Sequence, residues 1–481
     1  MAADTIPTLA QASRQVACGQ VSPIDLTDMF LDRIDTYNGT LNAYIAVTAD
    51  QARAQARAAD ADIRAGKRRG ALHGLPIAYK DIFETAGIPT TGHSRSLLGR
   101  VPDKDAFSVA KMTEAGVVCL GKLATHEFAF GGPSFDLPWP VARNPWNTDH
   151  FTGGSSSGTG AAVTAGLALG GFGSDTGGSI RLPAAYSGLV GIKPTYGRIS
   201  RCGVYPLSFS LDHAGPLAWT AEDCAMMLEV MAGYDPADPA SVDTPVPQYS
   251  KMLERDMTGI RIGVVRHFWE EADATSEMVA AMEDALKVFE KLGATLVELK
   301  LPSLMDYTAT CSLILLAEAA AIHEDVLKKD PTLLGEILRK RLFLASTLSA
   351  VDYVQALRRR RELCDAYAAA TKDVDVVFTA TAPGPAPRID QMEWFYTFTK
   401  PLLTMPFNLT GSPAISTRAG FSASGLPLSF QLVGKPFDEA TILAVAHAYE
   451  KATDWADVRP VVSPAQAGVV DAGTVAFAPS V

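Results

Sequence analysis

The sequence predicts an α/β fold in which a mixed sheet is covered by helices on its faces. Three observations carry this reading. Short apolar runs alternate with helix-forming segments over most of the chain, the pattern of a sheet wrapped by helices. Near the C-terminus, "SPAISTRAGFSASGLPLSFQLVG" (412–434) places two strand-like runs around a Gly/Ser turn, which reads as a hairpin and adds antiparallel pairing. Hydrophobic residues make up 47% and charged residues 20% of the 481, enough for a sizeable core.

The elements follow in order. Ser22 and Pro23 form a cap and first-turn pair for a helix to about residue 37. An Ala-rich helix covers roughly 50–65, and Gly66 is its stop. Strands are expected at "GLPIAYKD" (74–81), "GVVCLGK" (116–122), "RIGVV" (261–265), "ATLVELK" (294–300) and "DVVFTAT" (375–381). A helix is expected at about 157–169, and a helix-rich peripheral lobe at about 308–372. Length alone suggests two or three units. No repeat or linker forces a split, so a single domain over 1–481 is the expectation.

The formal net charge of −11 disfavours binding to nucleic acid or anionic membrane, where clustered Lys and Arg are the usual footprint, so neither is expected as a partner. Arg358 to Arg361 lie on one expected helix beside Glu362 and Asp365. Consecutive residues there spread over several faces, so a solvated, paired surface is expected. The N-terminus lacks a basic start and apolar core, and "SLILLAEAAAI" (312–322) is short and carries Glu318, so neither a secretory signal nor a membrane span is expected. Six cysteines without a C-x-x-C pair point to reduced thiols in a cytoplasmic protein.

Chemistry concentrates in two runs, "GGSSSGTG" (153–160) and "GSDTGGSIR" (173–181). Phosphate binding fails, because no lysine follows Gly158 and Asp175 would repel a pyrophosphate. Gly154 to Gly158 satisfies G-x-S-x-G, which would make Ser156 the nucleophile of an α/β-hydrolase-like esterase, but that leaves the second run unexplained. Tight turns alone would explain either run by itself. A third reading uses both runs for amide hydrolysis, which needs a nucleophile, a proton shuttle and oxyanion donors. Ser179 follows two glycines, and the amides of Thr176, Gly177, Gly178 and Ser179 could form the oxyanion hole. No histidine lies in either run, so the base is sought in Lys80, at the end of an expected strand. A base must be neutral, which for lysine requires burial. Ser155 then serves as hydroxyl relay between Ser179 and Lys80.

At these residues the chain resembles the amidase signature family. "LHGLPIAYKDIFETAGIPTT" (72–91), "ARNPWN" (142–147), "GSDTGGSIRLPAAYSGLVGIKPTYGRIS" (173–200) and "NLTGSPAIS" (408–416) are all of its type, and the resemblance covers nearly the whole chain. It implies a large mixed sheet sandwiched between helical layers. It also implies a Ser–cis-Ser–Lys triad on Ser179, Ser155 and Lys80, with a cis peptide at Gly154–Ser155. Asp175 and Arg181 would brace the nucleophile loop, Ser156 would be structural, and Phe130 and Gly131 would contact substrate. The mechanism calls for no cofactor and no metal; the partner is a small-molecule amide, and a homodimer stays open. Ile82, His93 and Thr152 depart from the commonest family text. Asp212-His213 stands where the glutaminase subunits of tRNA-dependent amidotransferases typically carry Asp-Gln. A stand-alone amidase is therefore the first expectation, and a glutaminase-type component of such an amidotransferase the alternative. Aromatics in "MEWFYTFTKPLL" (392–403), or Arg339 and Arg341, are the candidates to shape substrate choice.

Overall fold

A computed structural model describes residues 6–393 and 395–464. Its strands are β1 (Tyr44–Val47), β2 (Pro76–Lys80), β3 (Val118–Leu123), β4 (Gly170–Asp175), β5 (Val190–Lys193) and β6 (His213–Ala218), followed by β7 (Arg261–Val264), β8 (Thr295–Glu298), β9 (Val376–Ala380), β10 (Ala414–Phe421) and β11 (Pro427–Val433). They join in one 11-stranded sheet of order β1-β3-β2-β4-β6-β5-β10-β11-β9-β7-β8. β2 runs parallel to β3 and β4, and β7 parallel to β8 and β9. The β4–β6, β5–β6, β5–β10, β10–β11 and β9–β11 pairs are antiparallel. The sheet is mixed, and its central strands are buried on both faces, as helices packed on each side require.

All five strands expected from apolar runs are present, as is the hairpin of β10 and β11. The helix expected after Ser22 runs Pro23–Leu41, four residues beyond expectation, with the Ser22 hydroxyl accepting from Asp25 N; a helix at Leu9–Ala17 precedes it. The peripheral lobe consists of helices Leu304–Lys329, Glu336–Leu344 and Ala350–Thr371. By length and composition the first of these could cross a membrane, but more than half of its most apolar stretch is buried inside the protein. Arg359 pairs with Asp306 and Glu362, and Arg361 with Asp365. Arg360 reaches the carbonyls of Leu409 and Ser210. The arginine run is thus a paired helix surface.

β1, β4, β5 and β6 lie outside the apolar runs identified in the sequence. β4 reads Gly-Gly-Phe-Gly-Ser-Asp, a composition that resembles a loop. Its glycines answer to space: a Cβ on Gly170 would come 2.5 Å from Met227 Sδ, and one on Gly173 2.5 Å from Leu217 Cδ1. The helix after the first glycine-serine run is Ser157–Thr164, shorter than expected, because Gly166 turns the chain at φ +66°. Every residue of that helix is buried. It packs on β2, β3 and β4 and so carries the chain from one glycine-serine run to the other.

β2 and β4 are parallel neighbours, so Lys80 and Asp175, their last residues, lie at the same edge of the sheet. Ligands of open α/β sheets gather at such carboxyl ends. Close packing here leaves little slack: a Cβ on Gly158 would sit 2.4 Å from Ala124 N and 2.4 Å from Ala43 O. Gly158→Ala should therefore destabilise the fold by about 1–3 kcal/mol, read as a lower urea midpoint. An unchanged midpoint would contradict this packing.

Candidate active site

Lys80 is fully buried at the end of β2. Its Nζ lies 2.7 Å from Ser155 Oγ and 2.8 Å from Ser174 Oγ. Burial lowers its pKa from 10.5 to about 7, against the opposing pull of the Asp175 and Asp212 carboxylates. The lysine is thus available as a neutral amine near neutral pH, the condition set for a base.

Ser155 follows a cis Gly154–Ser155 peptide. Its carbonyl accepts from His126 N at 3.0 Å and from Thr125 Oγ1 at 2.9 Å. The His126 ring packs so closely on Gly154 that a Cβ there would meet His126 Cε1 at 1.9 Å; only glycine fits. Ser156 is fully buried, and its hydroxyl donates to the Ser179 carbonyl at 2.6 Å. That tie fastens the two glycine-serine runs together and removes Ser156 as a nucleophile, so the α/β-hydrolase-like reading falls. Ser179 is half-buried and opens onto a cavity of about 60 Å³ that Gly154 and Ser155 also line. Among the described residues its hydroxyl has no hydrogen-bond partner, which leaves it facing the cavity.

The loop carrying Ser179 is held by Asp175 and Arg181, both fully buried. Asp175 Oδ1 accepts from Gly178 N at 2.8 Å, Arg181 Nη2 at 2.9 Å and Asn408 Nδ2 at 2.8 Å. Asp175 Oδ2 accepts from Arg181 Nε at 3.0 Å. The remaining guanidinium donors go to Thr404 O, Gln431 Oε1 and Asn408 Oδ1. All five N–H groups of Arg181 are therefore matched. Burial alone would raise the Asp175 pKa, but Arg181 overrides it and holds the carboxyl well below the usual carboxylate range.

This arrangement corrects the expected oxyanion hole. The Gly178 amide is committed to Asp175, leaving Thr176, Gly177 and Ser179 as candidate donors. The Gly177 carbonyl accepts from Thr404 Oγ1 at 2.5 Å, so the 177–178 peptide is clamped at both its C=O and its N–H. Asn408, Thr404, Gln431 and Ser174 were not singled out in the sequence, because they come from distant segments or from the strand interior.

Phe130 lines the cavity and Gly131 does not. Gly131 instead closes a turn, its amide donating to Glu127 O at 2.9 Å. From the aromatic-rich segment 392–403, Tyr396, Phe398 and Leu402 reach the cavity; Trp394 lies outside the described residues. Arg341 also lines it, donating to Phe130 O at 2.5 Å, with its guanidinium 5.2 Å from the Phe130 ring centroid and 6.0 Å from that of Phe398. Arg339 does not reach the cavity; it donates to Leu334 O. His126, another wall residue, is stacked on Phe151 and kept neutral by burial and by the Arg341 cation. A second cavity of about 270 Å³ lies beyond Thr176 and is lined by Ser174, Asp212 and His213. His213 Nδ1 faces two carbonyls, Leu211 O at 2.7 Å and Asp175 O at 3.2 Å, so it carries the proton.

Fold and site together define a protein of the amidase signature type. The chain belongs to the amidase family, whose model matches residues 25–443. It is 40% identical to the A component of the glutamyl-tRNA(Gln) amidotransferase of Trichlorobacter lovleyi over 474 residues, covering 93% of this chain and 97% of that protein. Among solved structures it resembles a chain from a vestigial protein complex tied to the origins of an s-triazine catabolic enzyme, with a TM-score of 0.87, 30% identity and coverage of 95% and 100%. It also resembles a peptide amidase bound to the inhibitor chymostatin, with a TM-score of 0.84, 29% identity and coverage of 94% and 99%.

A lysine neutral in the fold but charged when unfolded leaves a signature in stability. Between about pH 7 and ~10.4 the unfolded chain binds one more proton, so stability rises with pH across that window. Lys80→Met should remove that rise, seen as a wild-type-minus-variant difference in urea stability that grows from pH 7 to 9. Parallel profiles would mean that Lys80 is charged in the folded state.

Proposed function

We propose that this protein hydrolyses an amide C–N bond through an acyl-enzyme on Ser179, with Ser155 as relay and neutral Lys80 as base. The observation that carries this reading is the 2.7 Å contact of buried Lys80 Nζ with Ser155 Oγ, beside a cavity shared by Ser155 and Ser179. As Ser179 attacks the carbonyl, its proton passes to Ser155 and the Ser155 proton to Lys80. The developing oxyanion is received by the amides of Thr176, Gly177 and Ser179, whose orientation is fixed by the clamped 177–178 peptide. The relay then reverses to protonate the departing amine, and water releases the acyl group by the same route.

For the substrate, we infer a small primary carboxamide that carries a carboxylate, of the glutamine type. The small cavity and the buried Arg341 in its wall suit a compact anionic substrate. The similarity to a component of glutamyl-tRNA(Gln) amidotransferases supports the same choice. It puts the glutaminase-type reading before the stand-alone enzyme expected first. Those relatives carry tRNA in their name, which conflicts with the exclusion of nucleic acid expected from the net charge. The stand-alone amidase is the second reading, favoured by His213 and by the likeness to a peptide amidase.

A panel of glutamine, simple primary amides and anilides, assayed with the purified chain, separates the two readings. Glutamine turnover supports the first; turnover of an anilide or simple amide without glutamine supports the second. Ser179→Ala should abolish activity on any of them, whereas Ser156→Ala should retain more than Ser155→Ala. On glutamine, Arg341→Met should raise KM about 10–100-fold, the loss of a hydrogen bond to a charged group. The kcat/KM should fall on acidification with an apparent pKa near that of Lys80, about 7; a flat profile down to pH 5 would contradict a lysine base.

A further inference from the structure

We propose that Ser174 is a positioning residue that turns the lone pair of Lys80 onto Ser155. This rests on the proposed role of Lys80 and goes beyond the triad. A neutral amine has two N–H donors and one lone pair. The hydrogen bonds of Lys80 among the described residues go to two hydroxyls, Ser155 Oγ at 2.7 Å and Ser174 Oγ at 2.8 Å. For Lys80 to take a proton from Ser155, the lone pair must point at Ser155. The contact with Ser174 must then be an N–H donation, with Ser174 as acceptor. A lysine held by one hydroxyl alone could rotate about its last bond and present an N–H to Ser155 instead.

The backbone of Ser174 is well placed for this task. It lies in β4, paired with Ala214 of β6, and the residue is 5% exposed. Along the strand, Ser174 and Asp175 point to opposite faces, one toward Lys80 and the other toward the nucleophile loop. The charged and titratable groups facing Lys80 are the carboxylates of Asp175 and Asp212 and the neutral imidazole of His126. Once Lys80 has accepted the proton, the bond to Ser174 becomes charge-assisted and strengthens. It is therefore worth more in the transition state than before it, the requirement for a contribution to rate.

A fluorophosphonate probe tests this without knowledge of the substrate. Ser179 Oγ forms a bond to phosphorus as fluoride leaves, and the serine proton passes along the relay. The second-order labelling rate is followed by mass spectrometry from pH 5 to 10, with melting temperatures as a check on folding. Ser174→Ala should lower the alkaline plateau about 10–100-fold, as for other residues that orient a catalytic group. Its acid limb should also move to lower pH, because the charged lysine has lost an acceptor. Ser174→Thr keeps the hydroxyl and should restore most of the rate and the position of the limb. A wild-type plateau in Ser174→Ala overturns the proposal. So does a rate loss with the limb unmoved or raised, or one that threonine does not rescue, since packing alone explains those. Lys80→Met separates the two levels. If it labels at the wild-type rate, or if the wild type does not label at Ser179, the proposed function itself falls.

Discussion

The rest of the site depends on one constraint, the burial of a lysine amine whose hydrogen-bond partners among the described residues are hydroxyls rather than carboxylates. An ammonium in that position would be costly, and the protein meets the cost by lowering the Lys80 pKa to about 7 rather than by pairing the charge. Its neighbours follow from that choice. Hydroxyls can donate to a neutral amine or accept from a charged one, so Ser155 and Ser174 serve both states. Asp175 and Asp212 stay near enough to temper the shift without holding the amine charged. Contact with carboxylates would hold the lysine charged and idle.

Rigidity around this lysine comes from two fasteners. The Asp175–Arg181 pair fixes the loop that carries Ser179 by matching every guanidinium donor and by committing the Gly178 amide. The Ser156 hydroxyl ties the run that carries Ser155 to the Ser179 carbonyl. Breaking such a buried pair from one side costs about 3–5 kcal/mol, so the loop is held in one arrangement. The glycines serve the same end. Gly154 admits His126, and Gly158 admits the backbone of residues 43 and 124. Two runs that look like flexible loops in composition are among the most constrained parts of the chain.

Much of this was legible in the sequence. Apolar runs located five strands and the hairpin, and Lys80, Ser155 and Ser179, which the structure brings around one cavity, were singled out by the chemistry that their proposed roles require. β4 and β6 were not legible as strands, because their glycines and proline reflect close approach of neighbours rather than turns. Ser174 was hidden for a related reason: it sits beside Asp175 in a run already read as a loop, and only strand alternation sends it toward Lys80. Asn408, Thr404 and Gln431 lie more than 220 positions from Arg181 or Gly177 in the chain, so no local pattern marks them. The four-amide oxyanion hole failed on one point, since spacing reveals which N–H groups are near but not which one a carboxylate has already claimed.

The most direct test of this account is the protonation of Lys80 itself. Selective ¹³C labelling of lysine in Ser179→Ala, with the Lys80 signal assigned by its loss in Lys80→Met, allows the Cε shift to be followed between pH 5 and 11. The account predicts a midpoint near 7, well apart from the surface lysines. A midpoint near ~10 would show a charged lysine under working conditions and would contradict the proposed base.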